Sequence, residues 1–474
     1  MTTRPLSAPS DIIGASATRL AAAIRDREVS ASEVVDAFLA RIEAVNPKIN
    51  AIVQLTATPA REEARAADAA LARGELKGLL HGVPCTIKDT IETAGVVCTG
   101  GTTGRANYVP TEDATAVARL RAAGAIVLGK TNVPELAAAF ESDNLVYGRT
   151  NNPYDLARTP GGSSGGESAI VAAGGSPLGL GTDAGGSIRL PAHFCGLAAI
   201  KPTSGRVPRT GTFPYPPGFR TELSHTAPIA RTVEDLVLTL PILSGPDFVD
   251  HTIIDAPLGD PKAVSPHGLR VAFYTEMGGI KVTAETVASV KRAAKALEDA
   301  GCVLEEAVPP GIEETRDLFS RIFGVDGGTG ARALFAAIGT KEISPLLQRS
   351  FESLFANAAQ SPAELFALIA RRDRFRQTML GFLRRYDAIL APVCAFPAVP
   401  HGTSFDPDKA PGFAYTMTYN LTGWPSTAIR AGTSPEGLPI GVQIVARPWR
   451  EDVSLALALA VEKRLTGWKG PTAV

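Results

Sequence analysis

Residues 158–202 read RTPGGSSGGESAIVAAGGSPLGLGTDAGGSIRLPAHFCGLAAIKP, and the rest of the chain is best read outward from this block. Apolar runs inside it predict a helix from Glu167 to Ala173 and a short strand from Leu178 to Gly181. Two overlapping G-x-S-x-G patterns, Gly161-x-Ser163-x-Gly165 and Gly162-x-Ser164-x-Gly166, suggest a nucleophile elbow. That device needs an acid and then a histidine downstream, for which His225 and His401 are available. Gly179-x-Gly181-x-x-Ala184 follows a strand and precedes a helix, as a dinucleotide fingerprint does. The acidic residue such a fold places about 20 positions on is missing from Ile200 to Arg209. Locally, Ser164 and Glu167 fit S-x-x-E and read as a cap for the helix they open.

Outside the block, strand and helix signals alternate. Val83 to Ile87 reads as a strand, Thr115 to Ala123 as a helix and Ala125 to Leu128 as a strand. Ala388 to Pro392, Ser426 to Arg430 and Pro439 to Ala446 read as strands before a last helix from Val453. Such alternation predicts an α/β fold, a central mixed sheet covered by helices. The first 75 residues read as helices; Ser30-x-x-Glu33 is a capping box followed by Val34, Val35, Phe38, Leu39, Ile42 and Val45 at helical spacing. Residues 311–382 are helical in pattern and hold eight of the 18 phenylalanines. The stretch from Ser204 to His225, with Pro208, Pro214, Pro216 and Pro217, reads as a long ordered loop.

At 474 residues the chain is long enough for two or three domains, yet it shows no repeat and no low-complexity linker. One domain over residues 1–474 is expected, with its core at about 80–235. Lysine and arginine number 47 against 48 acids, so no basic surface invites nucleic acid or an anionic membrane. Five dispersed cysteines without C-x-x-C spacing read as the reduced thiols of a cytoplasmic protein. The histidines offer no H-x-x-H or H-E-x-x-H, so no metal and no cofactor is expected. Met1 to Asp11 carries no apolar run, so no signal peptide is expected, and without a run of about 18 apolar residues no membrane span is expected either.

The block closely resembles the signature of the amidase signature family, which includes fatty acid amide hydrolase, bacterial amidases and the amidase subunit of tRNA-dependent amidotransferases. Further landmarks follow in the family's order: Gly82-Val-Pro-Cys-Thr-Ile-Lys-Asp89, Gly129-Lys-Thr-Asn-Val-Pro-Glu-Leu136, Pro228-Ile-Ala-Arg-Thr-Val-Glu-Asp235, Asn420-Leu-Thr-Gly-Trp-Pro425 and Gly437-Leu-Pro-Ile-Gly-Val-Gln443. The resemblance implies a serine hydrolase of C–N acyl bonds with Ser187 as nucleophile, Ser163 as bridging serine after a cis peptide bond, and Lys88 as base. The 24-residue spacing of the two serines selects Ser163 over Ser164. The chemistry is consistent: a lysine accepts a proton only when neutral, and apolar company such as Val83, Pro84 and Ile87 disfavours its ammonium form. Backbone amides of Ala184, Gly185 and Gly186 are expected to form the oxyanion hole, each typically worth about 3–4 kcal/mol. Asp183 and Arg189 are expected to form a buried ion pair supporting that loop, Asp89 to be structural and Cys85 to be packing. Ala227 departs from the glycine many relatives carry before Pro228.

Substrate choice lies outside these motifs. Phe213, Tyr215 and Phe219 on the loop from Arg206 to Arg220 read as an aromatic lid. Some of Phe319, Phe323, Phe351, Phe355 and Phe366 read as pocket wall. An apolar pocket favours a bulky aromatic or alkyl amide, or a carbamate (urethane), as the small-molecule partner of a monomer or homodimer. The alternative is a glutamine-hydrolysing subunit of a tRNA-dependent amidotransferase, against which the aromatic, proline-rich loop argues. A catalytically dead binding protein would need a reason to keep all three triad residues.

Overall fold

In a computed structural model of the protein, every residue is described except 1–5, 7, 216, 217, 357–360 and 466, and residue 219 is described by its backbone alone. The apolar runs become strands of one sheet: β1 (Ile52–Leu55), β2 (Pro84–Lys88), β3 (Ile126–Thr131), β4 (Leu178–Asp183), β5 (Ala198–Lys201), β6 (His225–Ala230), β7 (Arg270–Phe273), β8 (Val303–Glu306), β9 (Ala388–Pro392), β10 (Ser426–Thr433) and β11 (Pro439–Ala446). They lie in the order β1-β3-β2-β4-β6-β5-β10-β11-β9-β7-β8. The sheet is mixed: β2 runs parallel to β3 and β4, while β6, β5, β10 and β11 pair antiparallel with their neighbours. All residues of β2, β3, β4, β9 and β11 are buried, which is why these strands read as continuous apolar or small-residue runs rather than alternating ones.

One expectation fails at the N-terminal end. The first 75 residues are not all helical, because β1 separates the helices Ala31–Ile49 and Ala57–Ala72 and pairs antiparallel with β3. Four residues are too few to show a period. The Ser30 box is present, with the Glu33 amide donating to Ser30 Oγ at 3.1 Å and the Ser30 amide to Glu33 at 2.8 Å. Its helix buries Val34, Val35, Phe38, Leu39, Ile42 and Val45 against the sheet side of the core. Ala227 is fully buried in β6, opposite Gly181.

The topology sets the site. Parallel β2 and β4 are adjacent, so their C-terminal ends, carrying Lys88 and Asp183, emerge at the same edge. Crevices outside the carboxyl ends of parallel strands are where α/β sheets bind ligands. Across that edge lies a second core of larger side chains, including Tyr274, Phe319, Phe413, Tyr415 and Met417. The helical segment supplies part of it through Thr315–Phe323, followed by Thr329–Ile338, Pro345–Phe355 and Pro362–Phe382. Among the described residues no helix is long and apolar enough to cross a membrane.

Candidate active site

Lys88 is the last residue of β2 and is fully buried. Its Nζ lies 2.7 Å from Ser163 Oγ, 2.7 Å from Thr182 Oγ1 and 3.4 Å from the Thr182 carbonyl. Burial pushes its pKa down to about 7, while the carboxylates of Asp183 and Glu167 act in the opposite direction. At that value the amine exchanges readily between ammonium and neutral forms near neutral pH.

Ser163 is also fully buried, in the turn that leads into the helix Gly165–Ala172, and the Gly162–Ser163 peptide is cis. The next residue ties this turn to the following one, because the Ser164 amide donates to the Ser187 carbonyl at 3.0 Å. Ser187 itself is 7% exposed, on the wall of a cavity. Lys88 and Ser163 are thus in contact and fully buried, and Ser187 stands beside them at the cavity wall, joined through the Ser164 amide.

The capping role expected of Ser164 and Glu167 is not what the structure contains. Ser164 Oγ donates to the Thr182 carbonyl at 3.2 Å and caps nothing. The Glu167 carboxylate is buried beneath the sheet edge, where it accepts hydrogen bonds from the Thr86 and Thr131 hydroxyls. Burial pushes its pKa up to about 7 against those hydroxyls and against Lys130 and Lys88. Gly179 exists for this carboxylate: a Cβ there would meet Glu167 Oε1 at 2.1 Å. That packing need explains the first glycine of the dinucleotide-like pattern.

The turn after β4 is held by Asp183. Its carboxylate accepts the amides of Gly186 at 2.8 Å and Ile188 at 3.2 Å, Arg189 Nε at 3.0 Å and Asn420 Nδ2 at 2.9 Å. Burial acts to raise its pKa, yet Arg189 and Asn420 hold the carboxyl well below the usual carboxylate range. Arg189 is fully buried too, reaching Asn420 Oδ1 at 2.6 Å, the Thr416 carbonyl at 3.0 Å and Gln443 Oε1 at 3.0 Å. These contacts correct one expectation. The Gly186 N–H is spent on Asp183 and is not available to an oxyanion, whereas Ala184 and Gly185 line the cavity. Gly186 is needed for its backbone: φ is +127°, and a Cβ would lie 2.2 Å from Thr416 Oγ1.

The cavity, about 730 Å³ with its open mouth included, is walled by Phe140, Phe319, Phe323, Leu354, Phe405, Phe413 and Met417. Phe140 stacks on Phe413 at 4.8 Å and Phe319 on Phe323 at 5.5 Å. Two of the three aromatics expected to form a lid do not contribute. Phe213 lies under the Arg105 guanidinium at 3.9 Å, Tyr215 faces Arg209 at 5.0 Å, and neither lines the cavity. Arginine stacking engages both rings, Phe213 against Arg105 from outside the loop and Tyr215 against Arg209 within it. The side chain of Phe219 lies outside the described residues. Of the helical phenylalanines, Phe319 and Phe323 are wall, Phe351 packs on Phe355 at 4.7 Å, and Phe366 is exposed.

The remaining candidates sit elsewhere. His225 contacts Ser204 Oγ at 3.0 Å and the Asp183 carbonyl at 3.1 Å, and His401 contacts the Leu156 carbonyl at 3.2 Å. Ser163 is partnered by Lys88, so the elbow patterns do not build a Ser-His pair. Asp89 accepts from Thr99 and stands 3.8 Å from Lys130. Cys85 is fully buried, its thiol pushed up to about 12 by that burial. No group of three metal-ligating side chains occurs among the described residues. Sequence reasoning missed Thr182, which shares Lys88 with Ser163, and missed Phe140, Phe405, Phe413 and Met417. Phe413 and Met417 stand four apart, one helical turn, which was a usable signal.

Comparison with known proteins agrees with this architecture. The Amidase family profile matches residues 33–455. A glutamyl-tRNA(Gln) amidotransferase subunit of Moorella thermoacetica is 36% identical over 461 residues, covering 92% of this chain and 94% of its own. The structure of 6-aminohexanoate cyclic dimer hydrolase in complex with substrate superposes with a TM-score of 0.87 at 28% identity, over 97% of this chain and 99% of that one. A bacterial aryl acylamidase superposes with a TM-score of 0.84 at 27% identity, over 95% and 96%. A profile match over most of the chain, joined to a relative more than one third identical along nearly its whole length, places this protein in the amidase family, as an enzyme that hydrolyses the C–N bond of amides.

Proposed function

We propose that Ser187 is the nucleophile, Ser163 the proton relay and Lys88 the base, within one amidase-signature domain spanning residues 1–474. The observation that carries this is the buried 2.7 Å contact of Lys88 with Ser163, whose neighbour is bonded to Ser187 at the cavity wall. Ser187 Oγ attacks the amide carbonyl carbon as its proton passes to Ser163 and the Ser163 proton to neutral Lys88. The amides of Ala184 and Gly185 stabilise the oxyanion. As the C–N bond breaks, Ser163 protonates the departing amine and takes the proton back from Lys88. Water then cleaves the acyl-enzyme by the same path. Thr182 orients the lysine, and Asp183 with Arg189 fixes the turn that carries Ser187.

The substrate class we infer is a bulky or aromatic amide, with aryl carbamates admitted by the same carbonyl chemistry. The walls of Phe140, Phe319, Phe323 and Phe413 support it. Burying a substrate ring there contributes about 2–3 kcal/mol, or about 30- to 150-fold in selectivity if realised in the transition state. A second reading, glutamine hydrolysis for an amidotransferase, is favoured by the identity to the Moorella protein. Against it, no carboxylate is among the described residues lining the cavity, so the α-ammonium of glutamine lacks a counter-charge. We propose a cytoplasmic enzyme acting without cofactor, as a monomer or homodimer.

A kinetic panel of anilide, aryl carbamate, acetamide and glutamine, with fluorophosphonate labelling, tests both. Anilide should lead by kcat/KM and the label should sit on Ser187. Glutamine as best substrate transfers the protein to the second reading, and a label on Ser164 overturns the choice of nucleophile.

A further inference from the structure

The cavity at Ser187 carries one charge among the described residues that line it, the guanidinium of Arg316. Arg316 stands at the start of the helix Thr315–Phe323 and also lines an outer chamber with Glu313, Asp317 and Ser320, so it marks the passage between the two. Arg316 has no ion-pair or hydrogen-bond partner among the described residues. The acid beside it, Asp317, is taken by Arg371, which also holds Glu314 at 2.7 Å. Leaving a guanidinium unpaired at the mouth of an otherwise apolar and hydroxyl-lined chamber makes it available to whatever fills that chamber.

We infer that Arg316 is a specificity-determining residue that binds a carboxylate, or a comparable oxyanion, on the part of the substrate remote from the scissile bond. This rests on the amidase reading above and narrows its substrate to amphipathic amides, apolar around the reacting carbonyl and anionic at the far end. Guanidinium matches a carboxylate through paired N–H donors, and because Arg316 is exposed at the mouth, the geometry of that pairing rather than a shielded charge carries the preference. Glu313 stands on the outer side and repels anions there, so only a carboxylate that reaches Arg316 from the chamber at Ser187 is favoured. The site is thereby selective for length as well as for charge.

The test compares ω-carboxyacyl p-nitroanilides (succinyl, glutaryl, adipoyl) with their methyl esters, and N-acyl-4-aminobenzoates with their esters, in wild type, Arg316→Ala and Arg316→Glu. In one of the two series the carboxylate should exceed its ester by about two- to fivefold in kcat/KM, with an optimum chain length. The ratio should fall to about one in Arg316→Ala and reverse in favour of an ammonium-tailed analogue in Arg316→Glu. Esters cleaved by wild type with no carboxylate preference in either series, or a preference that survives Arg316→Ala, overturn the inference and leave the amidase reading standing. Failure of wild type to cleave any of these anilides overturns both.

Discussion

The burial of Lys88 makes the pH–rate profile the sharpest test of the triad. Burial takes this lysine from an ordinary 10.5 to about 7. At about 1.4 kcal/mol per pH unit, that fall corresponds to about 5 kcal/mol of disfavoured ammonium. The sign follows directly: the neutral amine is the base, so activity is low below pH 7 and rises as pH passes through it. At about pH 7.5 roughly three-quarters of Lys88 is neutral, against about one part in a thousand for an unburied lysine. The assay is kcat/KM for a neutral anilide, whose own ionisation cannot intrude, from about pH 5 to 9. Glu167→Gln supplies the perturbation, since the Glu167 carboxylate supports the ammonium, and Gln keeps an acceptor for one of the two threonine hydroxyls while presenting an N–H donor to the other. Its rising limb should move to lower pH. Lys88→Ala should lose about 100- to 10,000-fold and flatten what remains. A wild-type profile flat across this range, or a limb centred near 10, would refute the claim that neutral Lys88 is the base.

Three further outcomes are expected. Gly186→Ala should destabilise the protein by about 1–3 kcal/mol and lower kcat, since the new Cβ meets Thr416 Oγ1 at 2.2 Å on a backbone with φ of +127°; Thr416→Ala should recover part of both, read by urea unfolding and turnover. His193 is fully buried, its Nδ1 accepting the Gly441 amide at 2.7 Å and its Nε2 meeting the Phe396 carbonyl at 3.0 Å, and burial lowers its pKa from 6.5 to about 4. The unfolded chain binds a proton there first, so His193 should contribute about 3 kcal/mol to the loss of stability between pH 6.5 and 4, and the loss in that window should be smaller by about that amount in His193→Gln. Dialysis against EDTA should leave turnover unchanged, because the proposed path moves protons between side chains alone; loss of activity restored by a divalent metal would contradict it.

How much of this was legible before the fold was known depends on how local the cause was. The central strands were readable because burial on both faces makes a run apolar whatever its partners, as at Ala388–Pro392 and Pro439–Ala446. β1 was not, since four residues beside two long helices carry no period, and only its pairing with β3 makes it a strand. β5 through β8 were missed for a similar reason: Ala198–Lys201 and Val303–Glu306 have no pattern of their own that exceeds a turn or a helix end.

The same distinction governs the site. Lys88, Ser163 and Ser187 were placed through motif resemblance, while the groups that decide what each can do lie far along the chain. Glu167 looked like a cap because Ser164 stands three residues before it. What overrode that local preference was Thr86 and Thr131, on strands 81 and 36 residues away, which satisfy a carboxylate the helix terminus would otherwise have held. Phe213 and Tyr215 departed from the expected lid for the opposite reason. Phe213 and Tyr215 are aromatic and near proline, which says nothing of which arginine they will stack on, and Arg105 and Arg209 occupied them. The walls instead came from residues without any local mark, Phe140 and Phe405 among them, brought to Ser187 by the second core. On the proposed reading, substrate choice is a property of packing between distant helices, whereas the reaction rests on short motifs at the ends of two adjacent parallel strands, and each of those motifs is written contiguously even though the strands are not.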